Sequence, residues 1–204
     1  MKRKIIAISN QKGGVGKTTT AINLSTALAA TGQKVLIIDL DPQGNASTGL
    51  GVDYGQRENS IYEVLAGQAN ISESIRKTEI DNLFLIPSTV DLSGIEPELA
   101  DVNDRAFTLK NIFNANEKLN DFDFIFIDCP PALSLLTVMA MTTANAIIVP
   151  LQCEFFALEG LSQLIKTIER VRQNLNPGLS IDGIVLTMYD SRNKLSTQVA
   201  TDVR

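Results

Sequence analysis

The chain has 204 residues, 44% of them apolar and 20% charged, with a formal net charge of −5 and no histidine. That length suits one domain with a substantial core, and no apolar run approaches the ~20 residues that cross a bilayer, so the composition predicts a cytoplasmic protein with no membrane segment. The missing histidine excludes Ser-His-Asp and Cys-His catalysis and any His-ligated zinc or iron, and the negative balance leaves nucleic-acid contact to a local patch.

The start, Met1-Lys2-Arg3-Lys4, is basic, but Ile5-Ile6-Ala7-Ile8 is too short for a signal-peptide core and reads as a first strand. It runs into Ser9-Asn10-Gln11-Lys12-Gly13-Gly14-Val15-Gly16-Lys17-Thr18-Thr19, and a helical pattern follows from Ala21 to Ala29. Strand, glycine-rich turn and helix form the context of a phosphate-binding loop, in which backbone amides from Gly13 to Thr19 converge on an anion. Lys17 supplies a cation for the β- and γ-phosphates of a nucleotide, and the Thr18 hydroxyl is placed to ligate Mg²⁺. The usual first glycine of the motif is Gln11 here, and a second lysine, Lys12, stands five residues before Lys17. At the open mouth of the loop Lys12 is poorly placed to serve the same nucleotide.

With that second lysine the loop resembles the deviant Walker A ATPases, a group that includes partition ATPases of the ParA/Soj type, MinD and the nitrogenase iron protein. The resemblance implies an ATP-sandwich homodimer in which Lys12 contacts the facing subunit's phosphates, so that Lys12 and Lys17 both act in catalysis.

Gly32 reads as the stop of the first helix, and Val35-Leu36-Ile37-Ile38 as a strand buried on both faces. Asp39 and Asp41 follow on the edge where parallel sheets bind ligands. Read from position alone, one aspartate faces a metal and its waters and the other orients an attacking water. The run Asp39-Leu40-Asp41-Pro42-Gln43-Gly44-Asn45 matches the partition subgroup at every fixed position. By resemblance, Asp41 is tied to hydrolysis and Asp39 lies nearer the metal.

Residues 46–55 read as a mobile glycine-rich stretch. Ser60 with Glu63 three positions on predicts a capped short helix, and Ile71 to Ile75 another. Leu83 to Pro87 reads as a strand, residues 96–104 as an acidic, solvated helix face, and residues 106–119 as a core-facing helix. Phe122 to Asp128 is a strongly apolar strand ending in aspartate, the Walker B pattern, so Asp128 joins Thr18 and Asp39 as a metal residue, the aspartates acting through water. Pro130 and Pro131 then stop the strand.

Leu133 to Thr143 reads as a core helix and Ala146 to Pro150 as a further strand. Cys129 and Cys153 show no metal-ligand spacing and read as buried free thiols. Gln152 to Leu161 is similar to a Pro-x-Gln-x-Glu-aromatic-aromatic-Ala-Leu-x-Gly run of the partition subgroup. Glu154 there reads either as a contact across the dimer or as an ordinary charge at a helix start. The helix from Ala157 to Gln173 presents Lys166 and Arg170 on one solvated face.

Ile181 to Thr187 is the last strand. Related ATPases often carry an asparagine at its end to read adenine; Thr187-Met188 stands here instead, which makes Met188 a candidate for packing on the base. Arg192 falls in a loop where partition ATPases use an arginine on DNA. The resemblance also implies a further strand and helices beyond residue 204.

The predicted architecture is a three-layer α/β domain over residues 1–204, a mostly parallel sheet with helices on both faces. The predicted function is a Mg²⁺-dependent ParA/Soj-type ATPase with weak basal turnover that binds non-specific duplex DNA as an ATP dimer. It would associate with the nucleoid in that form and be stimulated by a ParB-type centromere-binding partner. The alternatives are a MinD-like or cargo-positioning ATPase without DNA binding, and an iron–sulfur reductase.

Overall fold

The structure is a computed structural model that describes residues 3–203. Its sheet contains β1 (Lys4–Ile8), β2 (Val35–Asp39), β3 (Arg76–Lys77), β4 (Leu83–Ile86), β5 (Phe124–Asp128), β6 (Ala146–Gln152) and β7 (Ser180–Thr187), in the order β3-β4-β2-β5-β1-β6-β7. Every neighbouring pair is parallel except β3–β4. The central strands are apolar end to end because helices cover both faces of the sheet. The helices are α1 (Lys17–Ala30), α2 (Asn45–Gly49), α3 (Ile61–Leu65), α4 (Ile71–Ser74), α5 (Ile95–Glu98), α6 (Thr108–Asn114), α7 (Leu135–Thr143), α8 (Ala157–Asn174) and α9 (Lys194–Val203).

Alternation along each strand divides the core in two. Ile6, Ile8, Val35, Ile37, Leu83, Leu85 and Phe126 pack under α1 and α2. Ile5, Ala7, Leu36, Ile38, Ile125, Ile127, Ile147 and Val149 face the other way, under α3, α6, α7 and α8. The α1 residues turned inward, Lys17, Ala21, Ser25 and Ala29, form an i, i+4 stripe of mostly small side chains that lets the helix lie close on the sheet. Met139 and Met141 are fully buried, as expected of core residues, and Cys129 and Cys153 are buried free thiols.

The strand order fixes where a ligand can bind. After β1 the chain crosses toward β2; after β5 it crosses the other way, over β1, to β6. The carboxyl ends of β1 and β5 are therefore the topological switch point, where the two connections diverge and leave a crevice. Residues 9–16 leave β1 there, and Asp128 ends β5, in register with Ile8 on one side and Asp39 on the other.

Several local expectations change. Residues 45–49 form α2, with Ala46 and Ser47 fully buried, in place of an irregular start to the 46–55 stretch. The acidic segment is helical only over Ile95–Glu98, and its Glu96 accepts a hydrogen bond (2.8 Å) from the Leu135 amide at the start of α7. The helix expected over 106–119 breaks into α6 flanked by 3₁₀ turns at Arg105–Phe107 and Glu117–Asp121. The edge strand β3 was not anticipated. The Ser60–Glu63 capping box forms as expected.

A buried arginine ties α2 to the sheet edge. Arg57 donates to Thr48 Oγ1 (2.7 Å), to the Val52 carbonyl and to the Ser88 carbonyl (3.1 Å), and is 6% exposed. Gly44, at φ 63°, lies against it: a Cβ there would stand 2.2 Å from Arg57 Nη1 and 3.1 Å from the Ser88 oxygen. Gly44→Ala should therefore destabilise the fold by about 1–3 kcal/mol, from left-handed strain plus displacement of a buried guanidinium. Urea unfolding of Gly44→Ala, Arg57→Ala and the double variant should be sub-additive, because removing the guanidinium removes part of the clash; additivity within about 0.5 kcal/mol would count against the contact.

Candidate functional site

The phosphate loop is built by glycines and held from both sides. Gly16 sits at φ 87° at the start of α1, and a Cβ there would press to 3.4 Å on Thr187 Cγ2. No side chain caps α1, and its first turn holds no acidic residue. Its leading amides and the positive end of its dipole thus remain available to an anion. Thr187 Oγ1 donates to the Val15 carbonyl (2.8 Å), which fixes the loop to the end of β7. On the other side Asn10 donates to the Pro150 carbonyl (2.7 Å) and accepts from the Lys12 amide (3.0 Å).

A cavity of about 470 Å³ opens over this loop, lined by Gly13, Gly14, Gly16, Lys17, Thr18 and Thr19 with Asp41, Gln43, Asn45, Pro131 and Met188. Val15 is buried beneath it. A more apolar hollow of about 590 Å³ adjoins, sharing Gly16, Thr19 and Met188 and lined also by Leu24, Val185 and Thr187. Met188, at φ 51° and 60% exposed, lines both. One space is suited to phosphates, the other to a flat apolar group.

Lys17 is 6% exposed and donates to the Lys12 carbonyl (2.8 Å). Burial lowers its pKa, while Asp128 and Asp41 pull the other way. The three aspartates occupy distinct environments. Asp41, at the cavity, accepts from the Gln43 amide (3.0 Å). Asp39 is fully buried and already committed: it accepts from the Ser47 amide (2.8 Å), the Ser47 hydroxyl (2.7 Å) and the Asp41 amide (3.3 Å). Burial raises its pKa to about 6 against those bonds.

Asp128 is also fully buried, but neither carboxylate oxygen has a partner with hydrogen-bond geometry. Burial first, and then the charge of Asp39, raises it to about 7; the neighbouring Thr18 hydroxyl and Lys17 offset only part of this. A dry, unpartnered carboxylate beside a threonine hydroxyl fits a hydrated divalent cation. Among the described residues, no cluster of three or more His, Cys, Asp or Glu could hold a metal by itself. A cation here would take most of its ligands from phosphate and water, as magnesium does.

Lys12 and Arg192 lie outside the cavity lining. Lys12 Nζ pairs with Glu154 of its own chain, and no side chain makes a capping hydrogen bond at the start of α8. Arg192 is engaged by Asp190 through Nε (2.9 Å) and Nη2 (2.8 Å). Sequence reading missed Asn10, Ser47 and Thr187. Asn10 and Thr187 stand at a loop and a strand end, and Ser47 on the short helix α2; each bonds a residue far off in sequence, Pro150, Val15 and Ser88, so no local signal marks them.

The comparisons with known proteins fall on this site and on the whole fold. Residues 3–181 match the model of a family described as an AAA domain. The chain is 58% identical over 201 residues to the chromosome partitioning protein ParA of Caulobacter vibrioides, covering 98% of this chain and 75% of that one. It is 47% identical to the sporulation initiation inhibitor protein Soj of Bacillus subtilis, covering 98% and 79%. Among solved structures, cobyrinic acid a,c-diamide synthase from Mycobacterium smegmatis, with bound ATP analog and magnesium, superposes with a TM-score of 0.92 at 41% identity, over 98% of this chain and 81% of that one. Among the described residues no helix is long and apolar enough to cross a membrane. With relatives this similar over nearly its whole length, the chain belongs to the ParA/Soj family of partitioning ATPases.

Proposed function

We propose that this protein is a Mg²⁺-dependent ATP hydrolase that assembles as an ATP-sandwich homodimer, binds duplex DNA non-specifically in that state, and segregates chromosome or plasmid DNA with a ParB-type partner stimulating hydrolysis. The observation that carries the reading is the uncapped start of α1 facing a cavity that holds Lys17 and Asp41, with the unpartnered Asp128 at the end of the neighbouring strand. The family relationship supports the rest.

In this reading the amides of residues 13–19 and Lys17 cradle the phosphates, and Met188 packs on the base. Lys17, with Lys12 from the facing subunit, stabilises charge on the transferring phosphoryl group, because this reaction class depends on positioning and electrostatics. Asp41 orients the attacking water. Thr18 and Asp128 would hold magnesium, Asp128 through water. Asp39 supports them from behind: its own oxygens are occupied by Ser47 and the Asp41 amide, and its charge favours a cation beside Asp128. Magnesium, when bound with the nucleotide, supplies charge neutralisation between the β- and γ-phosphates. Hydrolysis then opens the dimer and releases DNA. The protein would work in the cytoplasm, on the nucleoid in its ATP form, with slow turnover until its partner engages.

Arg192 is the weakest part of the DNA surface, since Asp190 already occupies its guanidinium. That contact favours, as the second reading, an ATPase that positions a cargo other than DNA. Duplex DNA binding at one fixed low salt, with ATP, with ADP and without nucleotide, separates the two, because phosphate contacts are steeply salt-dependent. Binding with ATP alone is expected; no binding in any state would leave the cargo reading.

The chemistry is tested separately. Lys17→Ala should abolish ATP binding, and normal affinity in that variant would remove the cavity from consideration. Asp41→Asn should still bind ATP while phosphate release falls by about 10²-fold or more.

Asp128 also gives a pH signature. Its folded-state pKa lies above its ordinary value, so its ionisation opposes folding. Stability of the nucleotide-free protein should be highest below about pH 4 as far as this group is concerned, and should be lost as pH rises through about 7. In urea titrations Asp128→Asn should flatten that decline and lose the stabilisation given by Mg²⁺·ATP. Parallel curves for the two proteins would show that the buried carboxylate is not the source.

A further inference from the structure

Lys12 has a fixed backbone and a movable side chain. Its amide is held by Asn10 (3.0 Å) and its carbonyl by Lys17 (2.8 Å), so the loop cannot carry it elsewhere. The side chain is 47% exposed and ends on the carboxylate of Glu154, itself 29% exposed. Glu154 is set in a tight turn between β6 and α8, where its amide donates to the Gln152 carbonyl (2.9 Å) and its carbonyl accepts from Ala157 (3.1 Å). The next two residues are Phe155 and Phe156, 77% and 65% exposed, packed edge to face at 5.1 Å against each other. Two adjacent exposed phenylalanines are a costly surface for one chain and the kind of anchor that interfaces use.

We propose that Glu154 is a latch within the protomer, closing a docking surface whose occupant is a second copy of this chain. This rests on the ATP-dimer reading above and adds its regulation. In the free protomer Glu154 neutralises and anchors Lys12, so the lysine is not presented outward. Assembly exchanges the single negative charge of Glu154 for the larger charge of the facing subunit's triphosphate and brings Phe155 and Phe156 into the interface. ADP carries less charge at that point and competes less well for Lys12. The latch thus raises the nucleotide charge needed before two copies join. A second copy is favoured over another partner because the residue that must be released and the exposed aromatic pair are contiguous with the mouth of the phosphate loop.

The test uses the full chain and two readouts. The first needs no dimer: acylation of the Lys12 amine by an N-hydroxysuccinimide ester, followed by peptide mass spectrometry without nucleotide. An ion-paired amine reacts more slowly than a free one, so Glu154→Gln should speed labelling at Lys12 severalfold and leave Lys166 unchanged. Equal labelling overturns the latch. The second readout is the dimer constant from sedimentation with a non-hydrolysable ATP analogue and with ADP. A partly exposed ion pair is worth about a two- to fivefold factor, and each dimer opens two, so Glu154→Gln should dimerise about 4- to 25-fold more tightly and begin to dimerise with ADP. Faster labelling with an unchanged dimer constant overturns the latch as a control on assembly. Phe155→Ser should weaken the dimer while each protomer still binds the analogue; an unchanged dimer overturns the docking surface. If the wild-type protein binds the analogue and stays monomeric, the dimer reading fails, and the labelling result stands apart from it.

Discussion

The structure depends on a carboxylate placed where water cannot reach it. Asp128 ends the strand next to β1, fully buried, with neither oxygen hydrogen-bonded, and Asp39 lies beside it in register on β2. Two neighbouring dry carboxylates repel each other, and each is held well above the ordinary carboxylate range. Asp39 is partly relieved by Ser47; Asp128 has only Lys17 and Thr18 near it. The parallel sheet requires this placement, because its switch point falls between β1 and β5, so the phosphate loop and Asp128 share one crevice. In the proposed reading a cation accompanying phosphates completes such a site, and the uncapped start of α1 beside it receives the phosphates.

The loops around that crevice are tied in two groups. Residues 10–12 are tied to the end of β6 through Asn10 and Pro150, and Val15 to the end of β7 through Thr187. The loop after β2 is tied to the loop after β4 through Ser47, which accepts the Ser88 amide, and through Arg57. Each tie is one or two hydrogen bonds between segments far apart in sequence. The phosphate loop is thus fastened to the ends of β6 and β7, and the loops after β2 and β4 to each other, over a sheet whose strands are locked by close packing.

What was legible in the sequence follows from how local its cause is. β1, β2, β5 and β6 are buried on both faces, so they appear as uninterrupted apolar runs, and the glycines and lysines of residues 12–18 appear as a motif because one short segment makes the whole loop. β3 has two residues and an antiparallel edge, too short for any periodicity to register. α2 reads Asn-Ala-Ser-Thr-Gly, which contains poor helix formers; tertiary bonds from Asp39 and Arg57 hold it. Glu154 looked like a cap or a contact across a dimer. Its bond to Lys12 spans most of the chain, and no local pattern encodes that.

The two lysines of the loop show how environment separates like residues. Lys17 lies buried on a stripe of small α1 residues, bonded to the loop's own carbonyl, so its charge is held where phosphate would arrive. Lys12 differs in every respect that matters: its side chain is half exposed, its partner is a carboxylate rather than a carbonyl, and it is not among the residues lining the cavity that Lys17 lines. A cation serving its own nucleotide should be preorganised, because any movement at the moment of reaction weakens its effect. Under the proposed contact with a facing subunit, Lys12 would need the opposite, a resting place weak enough to leave. A partly exposed ion pair, worth little in water, meets that requirement, whereas a buried one would hold Lys12 for good.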